Sequence, residues 1–238
     1  MYEQSEIAMP QSNTTLHGAE ATSFLVTVYM WMFAGLLLTA AVAWYVASSP
    51  SIYMAIAGSK FLFWGLIIAE LGLVVVLSAG INKISGGLAT LLFMTYSAVN
   101  GATLSFILLV YSGESIAMAF LSAACLFGTM SIYGYVTRRD LTAWGNLLFI
   151  GLIAVVVCSL INLFIGSSAF DFMISIVGVV VFLGLTAYDT QKILRHGSAV
   201  NSFGPEAMRK VAIIGALALY LDFINLFLYM LRFMGRKK

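Results

Sequence analysis

Three carboxylates, Glu70, Asp189 and Asp222, fall inside stretches otherwise built almost wholly of apolar residues. An ionised carboxylate is expensive to hold in hydrocarbon, so an acid in such a place faces a bundle interior or a wet cavity and needs a partner. Asp222 sits in Leu219-Tyr220-Leu221-Asp222-Phe223-Ile224-Asn225, and Asn225, Tyr229 and Gly215 fall on its face of a helix. That is a polar seam with one point of close packing. Asp189 follows Leu185-Thr186-Ala187-Tyr188, so Thr186 shares its face, while Gln191 and Lys192 mark the approach to an interface. Glu70 lies in Ile67-Ile68-Ala69-Glu70-Leu71-Gly72 with no cation in either neighbouring turn, so its partner must come from another helix.

If Asp189 and Asp222 meet in a low-dielectric site, they cannot both ionise cheaply; they share a proton and titrate as a pair. Losing that proton replaces a hydrogen bond by repulsion between two helices and frees hard oxygen ligands suited to calcium, so one place serves as gate, proton sensor and cation attractor. Counting inward from Arg209-Lys210 sets Asp222 roughly 18 Å along its helix, whereas Asp189 is only about 4 Å from Lys192. The depths agree better if the last helix starts at Pro205, a favoured first-turn residue, or if Lys192 lies in a hydrated vestibule. The plainer alternative is that each aspartate fixes helix packing through a hydroxyl or amide, and that Glu70 bridges two helices in the same way. Asn100, Asn162 and Asn225 read as interhelical hydrogen-bond glue.

Other chemistries lack their parts. The two histidines, His17 and His196, lie in the tail and a loop, which argues against an intramembrane Ser-His hydrolase or a histidine-ligated haem. Gly128-Thr129-Met130-Ser131 lacks nucleophile-elbow spacing and no glycine-rich phosphate loop with its lysine occurs. The residues therefore predict no enzyme and no cofactor. Cys125 and Cys158 fall in apolar windows as small packing residues.

The elements that must hold these acids are membrane helices. Hydrophobic residues make up 61% of the 238 positions and charged ones 9%, a balance no hydrated surface could carry. Apolar windows long enough to cross roughly 30 Å of hydrocarbon recur along the chain. They predict an all-α integral membrane protein with about seven spans, near 24 to 47, 60 to 80, 87 to 111, 115 to 136, 144 to 165, 169 to 191 and 210 to 233. The expected organisation is a flexible polar tail over 1–23, a transmembrane domain over 24–234 and a basic tail over 235–238. Tyr111-Ser112-Gly113-Glu114 is the whole connection between the third and fourth spans and must turn tightly. Gly35, Gly65, Gly72, Gly101 and Gly215 lie within spans and read as helix-packing positions.

A formal net charge of +2, with basic residues clustered between apolar runs, speaks for topology signals and against nucleic acid as a partner. With the N-terminus in the cytoplasm, the loops on that side hold Lys83, Arg138, Arg139, Lys192, Arg195, Arg209 and Lys210, against Lys60 in the opposite loops. Seven crossings then leave Arg236-Lys237-Lys238 outside, and six crossings plus a re-entrant segment would bring them inside; seven is the preferred reading. No internal repeat supports an inverted-repeat carrier.

At Gly184-Leu185-Thr186-Ala187-Tyr188-Asp189-Thr190-Gln191 and Leu219-Tyr220-Leu221-Asp222-Phe223-Ile224-Asn225-Leu226-Phe227 the chain resembles the Bax inhibitor-1 (transmembrane Bax inhibitor motif) family, in its bacterial inner-membrane members. The likeness extends from about Tyr29 to Phe233, with Gly35-Leu36-Leu37-Leu38-Thr39-Ala40 and the stretch from Phe127-Gly128 to Tyr133-Gly134 as weaker segments. The resemblance implies a last helix central among six others and a pH-sensitive calcium leak, with Asp189 and Asp222 as the sensing pair and a calcium contact. Some relatives carry, at the end of the second span, an arginine that bonds the pair; here Leu77-Ser78-Ala79-Gly80-Ile81-Asn82-Lys83 has Gly80, and Lys83 starts nearly a turn later.

The expectation is a passive, pH-sensitive cation leak for calcium, with Asp189 and Asp222 as gate and Glu70, Thr186, Asn225, Tyr229 and Lys83 in support. Its partners are the lipid bilayer, calcium ions and protons. Two rivals stand beside it: a proton-coupled small-solute transporter using Glu70 and Asp222, and a regulatory protein without transport that meets a membrane protease or stress-response protein through its tail.

Overall fold

A computed structural model describes residues 12–200 and 204–236, with side chains over 20–197 and 204–236. The helices are α1 (Ser12–Ala47), α2 (Pro50–Gly58), α3 (Lys60–Ala79), α4 (Gly86–Val110), α5 (Gly113–Val136), α6 (Thr142–Ile165), α7 (Ser168–Val200) and α8 (Pro205–Met234), with a 3-10 turn at Ile81–Lys83 between α3 and α4. Seven of them, all but α2, are long and apolar enough to cross a membrane. The protein is an all-α integral membrane protein, as its composition demands.

Local chemistry sets the helix ends. Ser59, Ser85 and Ser112 cap α3, α4 and α5 by accepting from the amides of Leu62, Leu88 and Ser115 at 3.4, 3.2 and 3.2 Å. α6 stops at Gly166, whose φ of 68° is the left-handed cap that glycine adopts without strain. α8 starts at Pro205, after Gly204 at a φ of 86°. The connection from α4 to α5 is only Tyr111 and Ser112, the tight turn the sequence requires.

Two segments differ from their sequence-based bounds. α1 already runs from Ser12, so the helix extends into the stretch expected to be a tail through residue 23; residues 1–11 of that tail lie outside the described residues. α2 is a short helix in a loop that hydropathy alone left unassigned.

α8 occupies the centre. Two thirds of its membrane window, 67%, is buried, against at most 39% in any other span and 6% in α3 and α6. It packs against α1, α4, α5 and α7, while α3 leans on α4 and α6 on α7. Phe61, Trp64, Leu163 and Phe164 of those outer helices are exposed, which in hydrocarbon is contact with lipid. Helix crossings close on small residues: a Cβ at Gly134 of α5 would run into the Ala187 carbonyl of α7, and one at Gly101 of α4 would lie 2.6 Å from the Thr39 carbonyl of α1. Gly65 and Gly72 correct the expectation of packing glycines, since a Cβ at either would meet nothing within 4 Å.

Candidate functional site

α7 and α8 run antiparallel in a register fixed by two glycines. A Cβ at Gly215 would lie 3.1 Å from Ile193, and one at Gly178 would lie 2.8 Å from the Tyr229 ring. That register sets Asp189 level with Ala218 or Leu219, and Asp222 level with Leu185 and Thr186. The carboxylates are therefore staggered by about one helical turn, ~5 Å along the axis. α8 does begin at Pro205, and α7 continues to Val200, so both helices carry polar turns past the depth of the acids and most of the counted mismatch disappears.

Asp189 and Asp222 line one cavity of about 540 Å³ between α6, α7 and α8, together with Asn146, Tyr188, Lys192 and Asn225. Asp222 is 4% exposed and its Oδ2 has no hydrogen-bond partner, whereas Asp189 is half-buried. No hydrogen bond joins them, so the arrangement is two acids facing a shared space and not the directly bonded pair that a shared proton would make.

The cation at this cavity is Lys192. It lines the cavity with both aspartates, its charge acts on Asp189, and its Nζ stands 5.7 Å from the centre of the Tyr188 ring. Lys83 is exposed in the 3-10 turn, away from this lining, and Gly80 caps α3. The sequence signal for Lys192 is its place one turn after Asp189 on the same helix, where it reads either as an interface marker or as a residue of a hydrated vestibule.

The supporting residues divide. Asn225 lines the cavity but gives its amide to the Leu221 carbonyl of its own helix at 2.8 Å, so it does not bridge helices. Thr186 is fully buried and returns its hydroxyl to Phe182 at 2.8 Å. Tyr229 stacks on Phe182 with ring centres 5.8 Å apart and lies under Arg232, a packing role beyond the cavity.

Glu70 builds a second polar centre. Thr103 donates to its Oε1 at 2.6 Å and the Asn100 amide approaches Oε2 at 3.5 Å, which supplies the partner from another helix that the sequence demanded. Tyr220 donates to Asn100 Oδ1 at 3.0 Å and lies 2.6 Å from the Thr39 hydroxyl. The chain thus links α3, α4, α8 and α1 through the centre of the bundle, and Asn100 is the interhelical glue expected of it. Tyr220, fully buried two residues before Asp222, is the member that sequence reasoning passed over.

At the end of the bundle that holds the α5–α6 loop, Arg195 bonds Asp140 at 2.7 Å and Thr142 at 2.7 Å. The Arg195 guanidinium and Thr142 hold the Asp140 carboxyl well below the usual carboxylate range. Gln191 ties α7 to the same loop, accepting from the Leu141 amide at 2.9 Å and donating to the Arg139 carbonyl at 2.8 Å. Arg236 closes the opposite end: its amide donates to Ser115 at 2.9 Å and its carbonyl accepts from Ser112 at 3.2 Å.

The sequence pattern of the family described as inhibitor of apoptosis-promoting Bax1 matches residues 21–238. The chain is 50% identical over 216 residues to the inner membrane protein YbhL of Escherichia coli strain K12, covering 91% of this chain and 92% of that one. It is 43% identical over 215 residues to an uncharacterized protein of Borreliella burgdorferi, with 90% and 92% covered. An uncharacterized protein of Deinococcus radiodurans is 41% identical over 226 residues, with 95% and 94% covered.

Proposed function

This chain belongs to the Bax inhibitor-1 family, and from that premise we propose that it is a passive, pH-sensitive cation leak for calcium, gated at Asp189 and Asp222, with no catalytic step. The observation that carries the reading is the 540 Å³ cavity in which both carboxylates and Lys192 meet at the central helix. In the closed state the pair holds its protons, and α7 and α8 stay in register. When the pair gives up its protons, two carboxylates across one space repel, and the same oxygens attract a divalent cation. Among the described residues no three His, Cys, Asp or Glu side chains gather in one place. Calcium takes 6–8 oxygen ligands, so two carboxylates suit a passing ion that keeps most of its water.

On this reading the end of the bundle with Lys83, Asp140 and Arg209 faces the cytoplasm together with the N-terminus, in a bacterial inner membrane like that of YbhL; the excess of basic residues in those loops supports it. The test is calcium entry into liposomes of purified protein across a pH series. Wild type should conduct increasingly as pH rises through the titration of the pair, and Asp189→Asn and Asp222→Asn should each flatten that dependence. No calcium flux at any pH would sink the reading.

The Glu70–Asn100–Tyr220 chain favours one second reading, a proton-coupled carrier in which Glu70 and Asp222 exchange protons with a small solute. Solute-driven proton movement abolished by Glu70→Gln would select it. A regulatory role through a protease or stress-response partner would rest on the N-terminal tail, whose first 11 residues lie outside the described ones.

A further inference from the structure

Beside the aspartate cavity, and sharing Tyr188 and Lys192 with it, is a second cavity of about 240 Å³ lined by Thr142, Tyr188, Gln191, Lys192, Arg195 and His196. Apart from Tyr188, its ionisable lining is basic. Arg195 is held in place by Asp140, Thr142 and Gln191, so its charge is presented without the entropy cost of ordering a loose side chain. Lys192 and His196 are exposed, and the His196 Nδ1 donates to the Lys192 carbonyl at 2.7 Å, fixing the ring against the helix. Asp140 offsets one positive charge; Lys192, which also faces Asp189 across the shared lining, carries the other and is uncompensated while that acid holds its proton.

Depth identifies the ligand class. α7 enters the bundle at Ser168, and about 20 residues of helix cross the roughly 30 Å of hydrocarbon. Asp171, paired with Arg232 at 3.5 Å, marks the far interface, so the turn from Lys192 to Gly197 lies at the level of lipid headgroups, and Trp144, Tyr133 and Arg139 line a neighbouring hollow with Tyr188 in the manner of an interfacial belt. A concave, basic, headgroup-level cavity fits a phosphodiester with a net negative charge.

We propose that this cavity seats the phosphate of an anionic phospholipid, with Lys192 and Arg195 as its charged contacts. Because Lys192 belongs to both cavities, a phosphate that engages it draws its charge away from Asp189. With that cation engaged and a phosphate charge nearby, ionised aspartates become costlier, so anionic lipid favours the closed, protonated arrangement of the pair; this consequence rests on the leak reading, whereas the binding itself does not.

The test is titration of detergent-solubilised full-length protein, by calorimetry, with dioctanoyl-phosphatidylglycerol, dioctanoyl-phosphatidylcholine and inorganic phosphate. Wild type should bind the phosphatidylglycerol in preference to both others. Lys192→Gln should weaken that binding about tenfold, the loss of one charge-assisted contact, and Lys192→Arg should restore it. Equal binding of inorganic phosphate or of the zwitterionic lipid, or unchanged affinity in Lys192→Gln with its melting temperature intact, overturns the proposal. Calcium flux in vesicles with and without phosphatidylglycerol separates the two ideas: lipid binding without any flux upholds the site and removes the leak.

Discussion

Thr103 gives Glu70 its shortest hydrogen bond, and Tyr220 anchors the far end of the same chain from the central helix. Thr103→Val would leave a carboxylate oxygen without its donor, and Tyr220→Phe would leave Asn100 Oδ1 and the Thr39 hydroxyl short of a partner. Each should cost about 1–2 kcal/mol in unfolding free energy. The double variant should lose less than the sum, since both changes break one connected network. Unfolding of the four proteins in mixed micelles measures this, and strict additivity would mean that the two ends are independent. At this scale the sequence showed which acids were buried in apolar surroundings and that Glu70 needed a partner from elsewhere. It did not show which residue that was, because Thr103 and Asn100 are 33 and 30 positions away and only the packing of α3 on α4 brings them close. For Lys192 the sequence left two readings, interfacial anchor or hydrated vestibule, because a lysine near a span's end looks the same in both until its cavity is seen.

Among elements, glycines in similar apolar contexts have opposite roles. Gly134 touches the α7 backbone at Ala187, and Gly101 touches α1 at Thr39, while Gly65 and Gly72 of α3 face open space. Gly134→Ala and Gly101→Ala should each destabilise the bundle by roughly 1–3 kcal/mol through a forced separation of helices. Gly65→Ala and Gly72→Ala should be neutral or stabilise by up to about 1 kcal/mol, because alanine fits the helix better and displaces nothing. Melting temperatures of the four variants check this, and equal losses at all four positions would contradict the assigned faces. Span positions were legible because hydrocarbon thickness fixes helix length; the face each glycine shows was not, since small residues recur on every side of these helices. The register of α7 against α8 was legible only in part. Residue counting located the acids within their helices, but the extension of α7 past Lys192 and the start of α8 at Pro205 set their stagger.

For the whole molecule, seven alternating spans put the α4–α5 turn and the α8 end on one side, and the hydrogen bonds from Arg236 to Ser112 and Ser115 join these two places. The loops with Lys83, Asp140 and Gly204 fall on the other. With the basic loops cytoplasmic, as proposed, a reporter fused after residue 238 should be active as alkaline phosphatase and dark as a cytoplasmic fluorescent protein, and the reverse should hold for a fusion in the loop at Asp140. A C-terminal fusion that glows in the cytoplasm would contradict seven full crossings. The seven spans were readable from hydropathy, with the basic Arg236-Lys237-Lys238 cluster as the one signal against seven crossings; the docking of Arg236 against a turn some 120 residues earlier was not, as it depends on both helices ending at the same height.

The burial of α8 also dictates an order of events during synthesis. The ribosome releases this helix after the other six spans have entered the bilayer, yet α1, α4, α5 and α7 each need its surface to complete their own. Until it arrives, Thr39 and Asn100 have no Tyr220, and the small faces of four helices look onto lipid. The bundle is thus assembled around a keystone delivered last, and a chain that stops before Pro205 presents the membrane's quality-control proteases with an unfilled core rather than a shortened protein.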